Sequence, residues 1–390
     1  MQFFFVRIVA TGLLGQYPFG GVVWDYIQYL LGFRALGHEV YYLEDSGAWP
    51  YDPVAKTISA DCSYNVAFLA RMMEEFGLGD RWIYRNAADG VFHGAGEKLA
   101  RELLKDADLL LNVSTASWLA DYEIGVRHQM FIDGDPMFTQ IRLARGEEDD
   151  YTRRLRAHDS HFTFGLHVGE PGCLAPECGI AWKKTIQPIA LEWWPFQPPR
   201  PEGAWTTVMN WASYKAEEWD GKVWGQKDLE FETFMDLPSR TRERFMMAVG
   251  RGVGNRRPTE RLLQGGWHLV EPDEVIPDHH TYRQFLMESK GEWSIAKHAY
   301  VAGCTGWFSC RTACYLALGR PAVVQDTGWT RHLPSGRGVI GFKTMDEVVA
   351  GLEAVAADLE GHGRAAREFA EAYLDARVVC ADLLSQAGLT

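Results

Sequence analysis

The stretch from Glu292 to Gly341 constrains this chain more than any other. It reads as helix, strand, phosphate-type turn, helix, strand and glycine-rich loop, the alternation expected of an α/β sheet. Gly306-Trp307-Phe308-Ser309-Cys310-Arg311-Thr312 opens a helix predicted over Ala313 to Leu318, and Gly319-Arg320-Pro321 closes it. A buried strand, Ala322 to Val324, then delivers Gln325-Asp326-Thr327-Gly328 at its carboxyl end. Small and hydroxylic residues at a helix start leave backbone N–H groups aimed at one point. With the helix dipole and the Arg311 guanidinium they would make an anion site. An ordinary Ser N-cap followed by a turn is the plainer reading of the same residues.

The first half carries the same grammar. An apolar run from Phe3 to Ala10 reads as a strand buried on both faces. Gly12, Gly15, Gly20 and Gly21 follow, then a helix through Val22, Tyr26, Tyr29, Leu30 and Phe33, and a strand from Glu39 to Leu43. The glycines do not fit G-x-G-x-x-G, so they mark a relaxed turn or a close approach to a ligand rather than a dinucleotide fingerprint. Further strands are predicted at Ala107 to Val113, Gln129 to Ile132 and His161 to Leu166, the first preceded by a helix from Glu97 to Lys105. Two of these end in acids and a histidine: Asp133-Gly134-Asp135-Pro136 and His167-Val168-Gly169-Glu170. Asp133 and Asp135 read equally as turn formers, and His167 as a hydrogen-bonded loop residue.

Pro188 to Pro201 holds five prolines and two adjacent tryptophans, which no regular helix accommodates. It divides the chain into two halves. Strand chemistry restarts at Thr206 to Asn210, followed by a loop rich in tryptophan and lysine through Lys215, Trp219, Trp224 and Lys227. Tryptophan faces suit sugar rings and lysine suits phosphate, although most of the 15 tryptophans must be packing. A helix is expected from Leu237 to Phe245, strands at Phe245 to Val249 and Trp267 to Val270, and terminal helices from Met345 to Leu359 and from Gly363 to Ala387.

Composition narrows the partners. With 39 Lys and Arg against 52 Asp and Glu, the formal charge of −13 argues against a nucleic-acid partner or an anionic membrane surface. The apolar start at Met1 to Val6 is too short for a signal peptide, and no apolar run reaches the roughly 18 residues of a bilayer span, so no integral membrane segment is expected. Seven cysteines, none two residues apart, read as free thiols in a cytoplasmic protein rather than as a metal centre.

The layout resembles the GT-B glycosyltransferases over nearly the whole chain. Gly20-Gly21 stand before the first helix, Leu36-Gly37-His38-Glu39-Val40 run into the second strand, and Leu318-Gly319-Arg320-Pro321-Ala322-Val323-Val324 lie late in the chain. Gly225-Gln226-Lys227-Asp228 and Gly306-Trp307-Phe308-Ser309 look like a bacterial subgroup known only as glycosyltransferases. The resemblance implies an α/β fold of two Rossmann-like domains facing across a cleft. Residues 1–190 would form the acceptor-side domain and 203–369 the nucleotide-sugar domain, with a final helix over about 370–390 packing back on the first. It implies a nucleoside-diphosphate sugar as donor, a UDP-sugar first, with no obligatory cofactor or metal. A homodimer is allowed. This chain departs from the family pattern at two places. The paired glutamates of retaining members would fall at Gly306 and Cys314, and Gln16 and Tyr17 occupy the stretch where inverting members carry a histidine.

Sugar transfer needs a stabilised leaving diphosphate, an oriented sugar and, for inversion, a base. Ser309, Arg311 and Thr312 are expected to hold the diphosphate, with Lys215, Lys227 and Lys297 as further cations. Glu292, Asp326, Thr327 and Gly328 would meet sugar or ribose hydroxyls. Asp133, Asp135 and His167 are the base candidates, Asp133 foremost. Gly20, Gly21 and Asp25 form the acceptor-side loop, Asp25 being the second choice as base. An epimerase or hydrolase on the same plan, or a non-catalytic nucleotide-sugar binder, are the competing readings.

Overall fold

Two parallel sheets organise the chain. The computed structural model describes residues 5–117, 119, 121–146, 149–252 and 254–389, so the Phe3-Phe4 start of the expected first strand lies outside the described residues. In the first sheet, Arg7–Thr11 is flanked by Glu39–Glu44 and then Trp82–Arg85 on one side. On the other lie Leu109–Val113, His128–Asp133, Ser160–Thr163 and Trp182–Lys184, all parallel. Phe92–Gly94 adds an antiparallel edge. In the second sheet, Trp205–Asn210 is flanked by Phe245–Gly250 and His268–Val270 on one side. Gly291–Ser294, Ala322–Gln325 and Val339–Phe342 lie on the other, again all parallel. Each sheet is therefore doubly wound, and its strand order reverses beside its first strand. That reversal opens a crevice at the carboxyl ends where ligands collect.

The apolar runs explain the strands. Leu109–Val113 and Gly291–Ser294 are buried at every residue, as strands covered by helices on both faces must be. Trp267, Trp293, Phe245 and Phe231 fill one face of the second sheet, with ring centroids 4.8–6.0 Å apart. Truncating such a ring to alanine costs about 3–5 kcal/mol.

Three expectations need correction. The Glu292–Gly341 run opens with a strand, not a helix: Glu292 pairs with both Thr206 and Ala322, and the helix His298–Ala302 comes after it. The helix expected from Leu237 to Phe245 is the single turn Leu237–Arg240, because Phe245 already begins a buried strand. The long terminal helix is two helices, Leu359–Tyr373 and Ala376–Gln386. Ile189 bonds the backbone at Leu374 and Ala376, and the Asp375 carboxylate caps the new start at Arg377 N.

The last helix seats on the first domain. It lies against Gly20–Ala35, where a Cβ on Gly32 would stand 2.7 Å from Cys380 Sγ. That first helix is apolar around most of its circumference because the first sheet, the last helix and His279–Met287 cover it. Elsewhere the halves bond directly: His167 N donates to Thr305 O, Leu166 N to Gly306 O and Leu174 N to Gly303 O. Among the described residues no helix is long and apolar enough to cross a membrane.

Candidate functional site

The carboxyl ends of the two sheets face each other, and the polar groups between them form two walls. On the C-terminal wall the helix Cys310–Ala317 starts at Ser309, whose side chain makes no cap bond. Its first-turn N–H groups thus lack the usual side-chain acceptor. Thr312 Oγ1 beside them is buried without a partner. Ser309 and Thr312 also line a small crevice with Ser294, Trp307 and Gln325.

Arg311 sits differently from expectation. It is not a free cation: Nε donates to Glu292 Oε1 at 2.7 Å and Nη1 to Val208 O at 2.5 Å. Glu292 is fully buried, yet its Oε2 and Arg311 Nη2 have no partner. The ion pair is half-satisfied, with one acceptor and one donor left over.

Lys227 is the lysine left without a partner. It opens the helix Lys227–Phe234 and, among the described residues, has no ion-pair partner. Burial, with Arg311 and Lys297 close by, pushes its ammonium well below the usual lysine range. Hydrogen bonds assemble this cluster. His298 N donates to Gln226 O, Ala299 N to Gly225 O, and Gly225 N to His298 Nδ1, which brings Lys227 beside Lys297. Lys297 itself is engaged. It donates to Asp135 and to Tyr214 OH, both at 2.8 Å, inside a cage of Phe138, Tyr214 and Tyr300 rings. Lys215 stands exposed on the loop before the hairpin Glu217–Trp219 and Lys222–Trp224.

Asp326, Thr327 and Gly328 are occupied in building a turn. Asp326 accepts from Gly328 N, Thr330 N and Thr330 Oγ1, and Thr327 Oγ1 donates to Trp307 O. Gln325, which the sequence left unassigned, accepts from Ala296 N and donates to Glu230.

On the N-terminal wall, Asp133 is 1% exposed and accepts four hydrogen bonds. Asp135 N and Thr139 Oγ1 share Oδ1, while Gln140 Nε2 and Thr163 Oγ1 share Oδ2. Both oxygens are saturated, which suits a turn organiser and leaves nothing for a substrate proton. Asp135 accepts from Lys297, Tyr214 and Tyr300 across the cleft. His167 Nδ1 faces His332 Nε2 at 2.9 Å, a second cross-cleft contact. Gly20 is not open to a ligand, since a Cβ there would lie 2.2 Å from Asp278 O, and Gly21 faces Tyr282.

Asp25 is the exception on this wall. The helix begins at Gly20, which puts Asp25 in its second turn. It accepts a hydrogen bond from the Cys310 thiol and lies near Arg311, at the start of the C-terminal helix described above. Burial pushes its carboxyl up to about 6, with Cys310 and Arg311 pulling the other way. A carboxylate poised near neutrality can accept a proton and pass it on. Around Asp133 and Asp135 a cavity of about 490 Å³ opens at the ends of Leu109–Val113 and His128–Asp133. Ser114, Asp135, Phe138, Arg142, Tyr151 and Tyr214 line it, and its Ser114 and Thr115 hold positive φ of 54° and 55°. Non-glycine backbone in that region is strained, and strain concentrates at functional sites.

No protein-family model matches the chain, and no curated protein matches it. Solved structures do. An alpha-glucosyltransferase in complex with UDP and a 13-mer DNA containing an HMU base aligns with TM-score 0.60 and 11% identity over 99% of this chain and 100% of that one. Anabaena HepE in complex with UDP and glucose aligns at 0.57 and 10% over 99% and 100%. AviGT4, a glycosyltransferase involved in avilamycin A biosynthesis, aligns at 0.52 and 12% over 98% and 97%. End-to-end coverage at such low identity is a likeness of fold, and the fold is the GT-B arrangement of two Rossmann-like domains.

Proposed function

We propose that this chain transfers a sugar from a nucleoside-diphosphate sugar, a UDP-sugar in the first instance, to an acceptor hydroxyl. One observation carries the reading. Lys227, without an ion-pair partner among the described residues, and Asp25, a carboxyl raised to about 6, both lie near Cys310 and Arg311 at the uncapped helix start at Ser309. The UDP bound by HepE and by the alpha-glucosyltransferase supports the choice of donor.

In the proposed reaction the acceptor oxygen attacks the anomeric carbon as Asp25 takes its proton. The bond from that carbon to the diphosphate breaks, and the electron pair leaves with the diphosphate. Lys227 and the first-turn N–H groups of Cys310–Ala317 neutralise it. Glu292 Oε2, Arg311 Nη2 and Thr312 Oγ1, all buried without partners, are the groups a bound sugar nucleotide would satisfy. With a base in this role the anomeric centre inverts. In this reading Lys227 and the helix-start N–H groups stand where a divalent ion would otherwise meet the diphosphate, which makes the mechanism metal-free. The cavity beside Asp135 and Tyr151 is the acceptor's place, and residues 1–190 and 203–369 are the acceptor and donor domains.

The test is incubation of the purified protein with a panel of sugar nucleotides, in chelator, read by mass spectrometry and anomeric NMR. Slow release of UDP and free sugar supports a transferase. Sugar isomers would replace it with an epimerase, and binding without turnover with a non-catalytic nucleotide-sugar protein. Loss of activity in chelator, restored by magnesium or manganese, would overturn the metal-free mechanism.

A further inference from the structure

Outside the proposed donor and acceptor groups, Glu75, His279 and His280 converge on one point from two distant parts of the chain. Glu75 ends the helix Ser63–Glu75 on the first domain, while His279 and His280 open the helix His279–Met287 on the second. His279 Nε2 stands 3.1 Å and His280 Nε2 3.0 Å from the same carboxylate oxygen, Glu75 Oε2. The three potential ligand atoms all lie within 4.8 Å of one another. We propose that these three side chains form a binding site for a divalent transition ion of the zinc class, one that pins the two domains together.

The donor set fits that ion. Two imidazoles and one carboxylate are borderline ligands of the kind zinc selects, and the fourth position of such a site is open to water. Ligands 2.0–2.1 Å from a tetrahedral ion lie roughly 3.3 Å from each other, so the two imidazole–carboxylate separations need to open by only a few tenths of an ångström. The surroundings hold the ligands in place. Asp278 accepts from His280 N at 3.0 Å and Thr281 N at 2.9 Å, fixing the helix start that carries both imidazoles. The rings of Phe76 and Trp24 lie 5.5 and 6.0 Å from that of His279, and Trp24 Nε1 donates to His279 O at 3.0 Å. Burial is graded as a three-ligand site requires. The His279 side chain is 6% exposed, whereas Glu75 and His280 are 32% and 54% exposed, so solvent reaches the fourth position. The sequence offers no spacing signal for this set, because Glu75 is 204 residues from His279. The nearest rival, Cys62 facing His93 at 3.6 Å, brings two ligands rather than three.

Because the ligands come from both domains, the ion binds only the docked arrangement and stabilises it by mass action. The site is separate from sugar transfer, so binding and transfer can fail independently. The experiment is calorimetric titration of the chelator-stripped, desalted full chain with zinc chloride alone, with thermal melts alongside. One ion per chain is expected, with a melting temperature raised by a few degrees at saturating zinc. His280→Ala truncates an exposed side chain and should leave the metal-free melt unchanged while weakening zinc about a hundredfold or more. Glu75→Gln keeps the side-chain shape and should weaken zinc in the same direction. No stoichiometric binding to the parent chain would overturn the site. So would zinc affinity unchanged in both variants, since the ion would then sit elsewhere.

Discussion

The two walls of the cleft treat their buried polar groups in opposite ways. On the N-terminal wall Asp133 has four donors on its two oxygens, and Asp135 and His167 are joined to partners across the cleft. On the C-terminal wall Glu292 Oε2, Arg311 Nη2 and Thr312 Oγ1 are buried and bare, and Lys227 has no counter-ion among the described residues. A buried polar group without a partner is costly, so a cluster of them marks where another molecule completes the bonding. A saturated carboxylate instead marks architecture. By that distinction Asp25, raised toward neutrality and facing the bare wall, belongs with the C-terminal groups although its helix belongs to the other domain.

The largest test of this contrast is Arg311→Ala. It strands Glu292, a wholly buried carboxylate, and should destabilise the fold by about 3–5 kcal/mol in chemical denaturation. A variant of parental stability would show that the Arg311–Glu292 pair is not held as described. Asp25→Asn comes next. Transfer should fall about a hundredfold or more while UDP affinity in calorimetry stays within error.

The pH dependence of that carboxyl follows from its shift. Its folded value of about 6 lies above its ordinary 3.8, so the folded state holds the proton more tightly. The resulting stabilisation is present below pH 3.8 and lost as pH rises through 6. Above that the charged carboxylate is a burden on the fold. The parental kcat/KM should therefore rise through about pH 6 and level off, and Asp25→Asn should lack the rise and melt higher than the parent at pH 7. A flat parental profile would return Asp25 to a packing role.

Lys227→Met sharpens the other wall. It should weaken UDP binding roughly tenfold to a hundredfold and leave the free protein no less stable, since the lysine has no counter-ion to lose. Unchanged UDP affinity would remove the diphosphate from this place. The smallest effect belongs to Asp133→Asn, which should cost about 1–3 kcal/mol of stability yet leave transfer per folded molecule near normal. A large loss of transfer at intact stability would break the contrast and restore Asp133 as the base.

The fold was legible in the chain because its signals are local. Buried parallel strands must be continuous apolar runs, and Leu109–Val113 shows one plainly. Glu292 was harder. A glutamate inside a strand buried at every residue contradicts local propensity, and only pairing with Thr206 and Ala322 on either side explains it. The break at Leu374 was likewise hidden, since Asp375 caps a helix there while Ile189, far away in sequence, holds the backbone on either side.

For the site, the residue types were visible and their tasks were not. The chain by itself determined two doubly wound domains, a helix start at Ser309 and a supply of lysines and acids near strand ends, because period, capping and turn chemistry act over a few residues. Only the tertiary structure decided that Arg311 is anchored by Glu292, that Lys297 is caged against Asp135, that Lys227 is left bare and that Asp25 meets Cys310 across the cleft. Whether a charge is free or satisfied depends on partners brought close by folding, and those partners lie from 19 to 285 residues apart, Arg311 to Glu292 and Asp25 to Cys310. Burial and partner distance set that outcome, and neither is written in local sequence.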